Sequence, residues 1–470
     1  MRGKTQQRDL TSGPIFGVVS GLALPIMASS FLSTAYNITD MAWIGTLGAD
    51  AVAGVGVGGM YSWLSQGLSA LTRMGGQVYV AQCLGRGQRK EAGQYARAAL
   101  QMVLAFGLLF GLICVIFANP LVGFFGLQDG VTVGYARVYM KITCGLILFS
   151  YVNYTLTGLF TAQGDSRTPL KANGIGLVVN MVFDPVLIQG IGPFPRMEVV
   201  GAAVATVGAQ AAAMLVMVWE ILRPARRENE PKNENVLRGL SLWERCSPKY
   251  YRDVLRIGVP TALQTSVYCL ISMVLTRMVA VFGSGAVATQ RVGGQIESIC
   301  WNAAEGFGTA MNAFVGQNFG ARKPERMRKG YRISLLMVLS LGAAVTLCFL
   351  LFPVPISRLF FHEEEVIAVS VGYLIVVGLS EPFMAVELMS EGAIAGLGKT
   401  KLCSVISVTL TGMRIPLAWL LSRTGLGLNG IWWALTLSSV CKGIVFYFTF
   451  RRQCGRAERM LSDESERKSV

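Results

Sequence analysis

Long apolar runs broken by short polar stretches dominate this chain. Runs such as 100–118 (LQMVLAFGLLFGLICVIFA) and 334–352 (SLLMVLSLGAAVTLCFLLF) hold no charged residue over the ~20 positions that a membrane-crossing helix needs. Set against glycine, proline and charge breaks, the pattern predicts twelve helices, near 14–40, 52–81, 93–118, 133–158, 170–190, 199–222, 252–281, 287–316, 331–352, 366–393, 402–421 and 428–450. The expected class is an all-α integral membrane protein. The first helix follows a short basic tail, MRGKTQQRDLTSG, without a convincing small-residue cleavage site, so it is read as retained rather than as a signal peptide.

The pattern repeats. LGADAVAGVGVGG (47–59) lies over FGSGAVATQRVGG (282–294) at an offset of 235, which also carries Pro25 to Pro260, Gln82 to Gln317 and Gly85 to Gly320. LFTAQGDSRTP (159–169) resembles AIAGLGKTKLC (393–403) at an offset of 234. One register held across two spans points to duplication. Six spans per copy is an even number, so both copies enter the membrane from the same side, as parallel repeats. The expected organisation is an N-terminal six-helix lobe (1–222), a polar cytoplasmic linker (223–250), a C-terminal six-helix lobe (251–452) and a cytoplasmic tail (453–470).

Composition fits this picture: of 470 residues 52% are hydrophobic and 15% charged, with mean hydropathy +0.49, against roughly 25% charged in soluble domains. The 54 glycines suit close helix packing. The net charge of +15 is not a nucleic-acid footprint, because the Lys and Arg residues gather in the connections after spans two, four, six, eight and ten. The other connections hold only Arg196, Arg358 and Arg423. By the positive-inside rule both termini are expected in the cytoplasm, in a multi-pass protein of the plasma (inner) membrane. Ten scattered cysteines without a CxxC pair and a single histidine, His362, indicate neither a disulfide framework nor a metal site.

Polar residues inside the apolar runs carry the candidate chemistry, since a charge at the bilayer centre costs roughly 2.5–3.5 kcal/mol on insertion scales. In GLVVNMVFDPVLI (176–188), Asn180 and Asp184 lie one turn apart, just before Pro185, and Asn173 shares their face. Span one aligns Ser33, Asn37 and Asp40, with Tyr36 beside them; span four carries Tyr139 and Thr143, and span six Thr206 and Gln210. If these stripes converge, two carboxyl groups share a low-dielectric pocket that can take up a proton or a small cation and release it. Pro25 and Pro185 each remove a helix hydrogen bond and permit bending. In the second half, Glu297 and Glu305 lie on span eight and Glu381, Glu387 and Glu391 on span ten, with Arg277, Arg291 and Arg414 on or near spans seven, eight and eleven. The two readings of these are buried pairing, such as Glu297 or Glu381 with Arg414, and a glutamate facing the cavity to attract a cationic substrate.

The duplicated half, Asp40 before WIGTLG, the VAQCLG and VGQNFG pair, TAQGDSRTP and NMVFDP together resemble the multidrug and toxic compound extrusion (MATE) transporters over residues 14 to 450. That resemblance implies two pseudo-symmetric six-helix lobes splayed in a V and cation-coupled export by alternating access. Asp40, Asn180 and Asp184 match the amino-terminal cation site of the DinF-like branch, with Tyr139 and Thr206 as neighbours. The NorM-like pattern of acidic groups on spans seven and ten is not matched: Gln264 and Met384 stand there, Met384 flanked by Glu381 and Glu387. The expected protein is therefore a cation-coupled, proton-leaning antiporter of organic cations or amphipaths. Its coupling ion would be H+ or Na+, with no other cofactor. Candidate cavity residues are Tyr36, Asn37, Gln210, Gln264, Glu297, Glu381 and Met384. Its partners would be small-molecule substrates and the bilayer, without nucleic acid, and a monomer would suffice. The alternatives are a lipid-linked oligosaccharide flippase, which would use Arg277, Arg291 and Arg414, and an integral membrane transferase, for which His362 in FFHEEEV offers the only histidine.

Overall fold

The computed structural model describes residues 9–125, 129–223, 235–361 and 363–469, without the side chains of 36–38, 42, 49, 284 and 461–469. His362, linker residues 224–234 and the side chains of Tyr36 and Asn37 lie outside the described residues. The helices are α1 (Ile15–Gly45), α2 (Ala49–Leu64), α3 (Gln66–Gly85), α4 (Arg89–Ile116), α5 (Ala118–Gly123), α6 (Gly130–Thr143), α7 (Leu148–Ala162), α8 (Arg167–Gln189) and α9 (Glu198–Leu222). They continue as α10 (Pro248–Ala280), α11 (Ser284–Gly320), α12 (Pro324–Leu351), α13 (Pro353–Arg358), α14 (Glu364–Gly378), α15 (Glu381–Gly396), α16 (Thr400–Gly412), α17 (Arg414–Ser422) and α18 (Leu428–Ser469).

The twelve expected passages are all present, four of them broken. Eight are long and apolar enough to cross a membrane as they stand, and α6–α7 and α14–α15 qualify as pairs bent by 47° and 48°; α2–α3 and α11 complete the twelve. The breaks follow backbone chemistry. Pro382 near the start of α15 has no N–H for the Gly378 carbonyl, and the Thr346 hydroxyl donates to that oxygen instead, at 2.6 Å. Pro416 likewise leaves the Gly412 carbonyl without its helical donor, where α16 gives way to α17. Outside the apolar stretches, Asp129 caps α6: the Thr132 N–H and hydroxyl reach its carboxylate at 2.7 Å each, and these bonds hold the carboxyl below its usual range.

Two compact units form, one of Ala28–Val259 and the other of Asp9–Met27 with Pro260–Val470. Helix α1 thus changes unit just after Pro25, and α10 does so at Pro260, its counterpart in the repeat. In the first unit, the described part of the linker segment docks on α4: Gln101 donates to the carbonyls of Leu242 and Glu244 at 2.7 and 2.9 Å, and Arg97 pairs with Glu244 at 2.7 Å. In the second, α11 and α15 touch through glycine. A Cβ on Gly392 would stand 1.9 Å from the Gly308 carbonyl oxygen, so even alanine there would force the helices apart. The start of the described chain is bound to the same unit, with Asn318 donating to the Leu10 carbonyl at 3.0 Å.

Candidate functional site

In the first unit, α1, α6, α8 and α9 bring the predicted polar stripes together. Asp40 (7% exposed), Asn180 (0%) and Asp184 (0%) are all buried. The Asn180 amide donates to Asp184 at 3.0 Å, the geometry expected of residues one helical turn apart. Asp40 acts electrostatically on Asp184, and the buried Tyr139 senses both carboxyl groups and lies beside Thr206. One oxygen each of Asp40, Asn180 and Asp184 has no hydrogen-bond partner. Buried polar atoms are normally satisfied. Three oxygens left open in one pocket therefore offer acceptors to a proton or to a small oxygen-seeking cation.

A second polar tier lies two helical turns along α8. Asn153 of α7 donates to Gln210 at 3.0 Å and to Asn173 at 3.4 Å, and Asn173 donates to Ser29 at 2.6 Å. Gln210 thus belongs to a chain of amides that ends on the Ser29 hydroxyl. Asn153 and Ser29 escape the sequence reading because their helical-period neighbours, Thr157 and Ser33, are small hydroxyl residues that bond back to the Asn153 and Ser29 carbonyls of their own helices, so the spacing does not single out the two side chains that reach across to other helices. The signal that could have found Asn153 is an amide at membrane depth, which needs a partner.

The second unit is built differently. At the positions that repeat Asp40 (offset 235) and Asp184 (offset 234) stand Leu275 and Ala418, and both are buried in one apolar cluster. Asn180 is replaced by Arg414 at the same offset of 234, while Tyr139 recurs as Tyr373. Gly58 and Gly293, also equivalent, bring their helices up against these two tyrosines. Tyr373 donates to Glu297. Arg414 gives its hydrogen bonds to Ser438 (3.1 Å) and Ser439 (2.9 Å), so the direct pairing with Glu297 or Glu381 expected from sequence is not made. Arg414 acts on Glu297 through its field alone. A buried ion pair is instead made by Glu387 with Lys442, at 2.7 Å. Lys442 is absent from the sequence reading, although a lysine inside SSVCKGIVF is itself a signal.

The remaining candidates are spread through this unit. Gln264 donates to Glu391 at 2.8 Å, and Glu381 is buried beside Glu297 and Cys300. Met384 packs in the apolar core with Met389 and Phe446. Arg277 and Arg291 are exposed. Pro25 and Pro185 lie within α1 and α8. Among the described residues, no three His, Cys, Asp or Glu side chains are grouped to hold a metal ion.

A family model, MatE, matches residues 25–186 and again 260–420, two stretches that begin at Pro25 and Pro260 and so follow the repeat. The chain belongs to the MatE family. It is 27% identical over 423 residues to the probable multidrug resistance protein NorM of Thermotoga maritima, covering 87% of each chain. It is 24% identical over 467 residues to the FAD transporter of Shewanella oneidensis, covering 97% of this chain and 99% of that one. A solved structure of MATE in a bent conformation aligns with a TM-score of 0.88 at 21% identity, over 98% of this chain and all of the other. This MatE chain is thus a multi-pass membrane transporter, with multidrug efflux proteins among its relatives, and not an enzyme. The two-lobed, twelve-helix fold is shared with those structures.

Proposed function

We propose that this MatE protein exports organic, mostly cationic or amphipathic compounds from the cytoplasm, in exchange for protons bound at Asp40, Asn180 and Asp184. One observation carries the reading. The repeat counterparts Leu275 and Ala418 pack as plain core, so the fold itself does not require carboxylates at these places. The first unit nevertheless buries two of them with open oxygens. A pair of carboxyl groups that can share one proton favours H+ over Na+, and supports the likeness to the DinF-like branch. Pro25 and Pro185 would let α1 and α8 bend as the site gains and loses its proton.

The coupling ion is tested by ethidium uptake into inside-out vesicles, driven in turn by an imposed proton gradient and an imposed sodium gradient. The expected result is saturable uptake with protons and none with sodium alone. Sodium-driven uptake would keep the site and change the ion. Failure under both gradients, with folded protein present, would overturn the substrate class and favour the flippase.

The charge distribution supports both termini in the cytoplasm of a plasma-membrane protein. A C-terminal fluorescent-protein fusion should glow and a C-terminal alkaline phosphatase fusion should stay inactive; the opposite pair would reverse the topology. Neither a partner subunit nor nucleic acid enters this mechanism.

A further inference from the structure

Where α12 begins and the apolar part of α18 ends, the second unit holds a crevice of about 370 Å³ that the transport reading does not use. Its polar lining is Arg328, Arg332 and Arg451 against one acid, Glu458, and its floor is aromatic, from Tyr331, Tyr447 and Phe450. The floor is fixed. Tyr331 stacks on Phe450 with ring centroids 4.0 Å apart, and its hydroxyl bonds with that of Ser390 at 2.7 Å. Arg328 is tied to Glu458 at 2.5 and 2.8 Å. Arg451 sits over the Tyr447 ring, 5.7 Å from its centroid. Arg332 and Arg451 are exposed, so two guanidinium groups remain beyond the one that Glu458 neutralises.

The position of the crevice says what kind of anion would enter it. Arg332 directly precedes the charge-free run ISLLMVLSL on α12, and Arg451 and Arg452 directly follow the charge-free run GIVFYFTF on α18. The arginines therefore stand at a membrane boundary. Immediately past them, on the membrane side of the same two helices, lie Leu336 (69% exposed) and Phe448 (59% exposed). A ligand that fits carries a phosphate for the guanidinium forks and acyl chains to lie along that apolar flank. A soluble anion would leave the apolar flank unused.

We propose that this crevice binds the headgroup of an anionic phospholipid, with Arg332 and Arg451 on its phosphate. Arg328 and Glu458 shape the wall, and the aromatic floor closes the crevice beneath the headgroup. The inference is independent of the coupling site and of the exported compound.

The test uses the purified full chain in dodecyl maltoside, titrated with phosphatidylglycerol, phosphatidylcholine or inorganic phosphate, with bound lipid counted by native mass spectrometry. Phosphatidylglycerol should bind in preference to phosphatidylcholine. The double variant Arg332→Gln with Arg451→Gln should weaken phosphatidylglycerol by about thirtyfold, about fivefold for each arginine near an anionic headgroup. Arg196→Gln with Arg423→Gln, elsewhere on the molecule, should change nothing. Equal binding of the two lipids, unchanged binding by the double variant, or full displacement of lipid by inorganic phosphate would each overturn the proposal. If the double variant does not fold, wild type carries the test: raising salt from about 50 to about 500 mM must weaken phosphatidylglycerol and spare phosphatidylcholine, and equal sensitivity of both would overturn it.

Discussion

Asp184→Asn and Asp40→Asn should each yield protein that reaches the membrane folded and no longer exports ethidium under a proton gradient. Coupling between sites is worth about 1–3 kcal/mol, or about 5- to 150-fold, and an amide that cannot exchange a proton removes it entirely. The expected loss is therefore at the upper end of that range. Folding should be spared for two reasons visible in the site. Asn180 donates to an oxygen of Asp184, and the introduced amide oxygen can still accept that bond. A neutral amide is also cheaper to bury than a carboxylate, and it relieves the interaction between the two acids. Thermal melting of each variant should thus match or exceed wild type while transport is lost. Full proton-driven transport by both single variants would remove Asp40 and Asp184 from the mechanism.

How far the sequence carries depends on whether a feature is local or pairwise. Helix positions are read directly, because an apolar run of ~20 residues has one stable form in a bilayer. The breaks inside spans four, ten and eleven are harder. Pro382 and Pro416 announce two of them, but the 48° bend of α14–α15 is completed by Thr346, a residue of α12 that takes over the freed Gly378 carbonyl. The proposed coupling site is legible because its members come in pairs at helical spacing, Asn180 with Asp184 above all. Arg414 shows the limit: the sequence presents a buried cation and several candidate acids, yet the structure gives its hydrogen bonds to Ser438 and Ser439. Which of several partners a charge takes is set by packing between helices far apart in the chain, and one sequence does not contain that information.

Lys442→Met, by contrast, should cost stability rather than coupling. The Lys442 ammonium is almost fully buried, 2.7 Å from Glu387, with Glu391 and Arg414 also within its field. Removing one member of a buried ion pair strands the other, typically at a cost of about 3–5 kcal/mol. Here the stranded group is Glu387, whose second oxygen is already without a hydrogen-bond partner. Replacing both members, as Lys442→Met with Glu387→Met, removes the stranded charge and two desolvation penalties, so most of the loss should be recovered. Melting temperatures of the two single variants, the double variant and wild type form the cycle that measures the pair. A Lys442→Met protein as stable as wild type would show that the pair contributes nothing. Ethidium export then separates structure from mechanism. If coupling resides at Asp40 and Asp184 alone, the refolded double variant exports like wild type. A stable double variant that fails to export would place a second coupling element in the Pro260–Val470 unit, with Lys442 serving as a tethered cation that Glu387 alternately holds and releases.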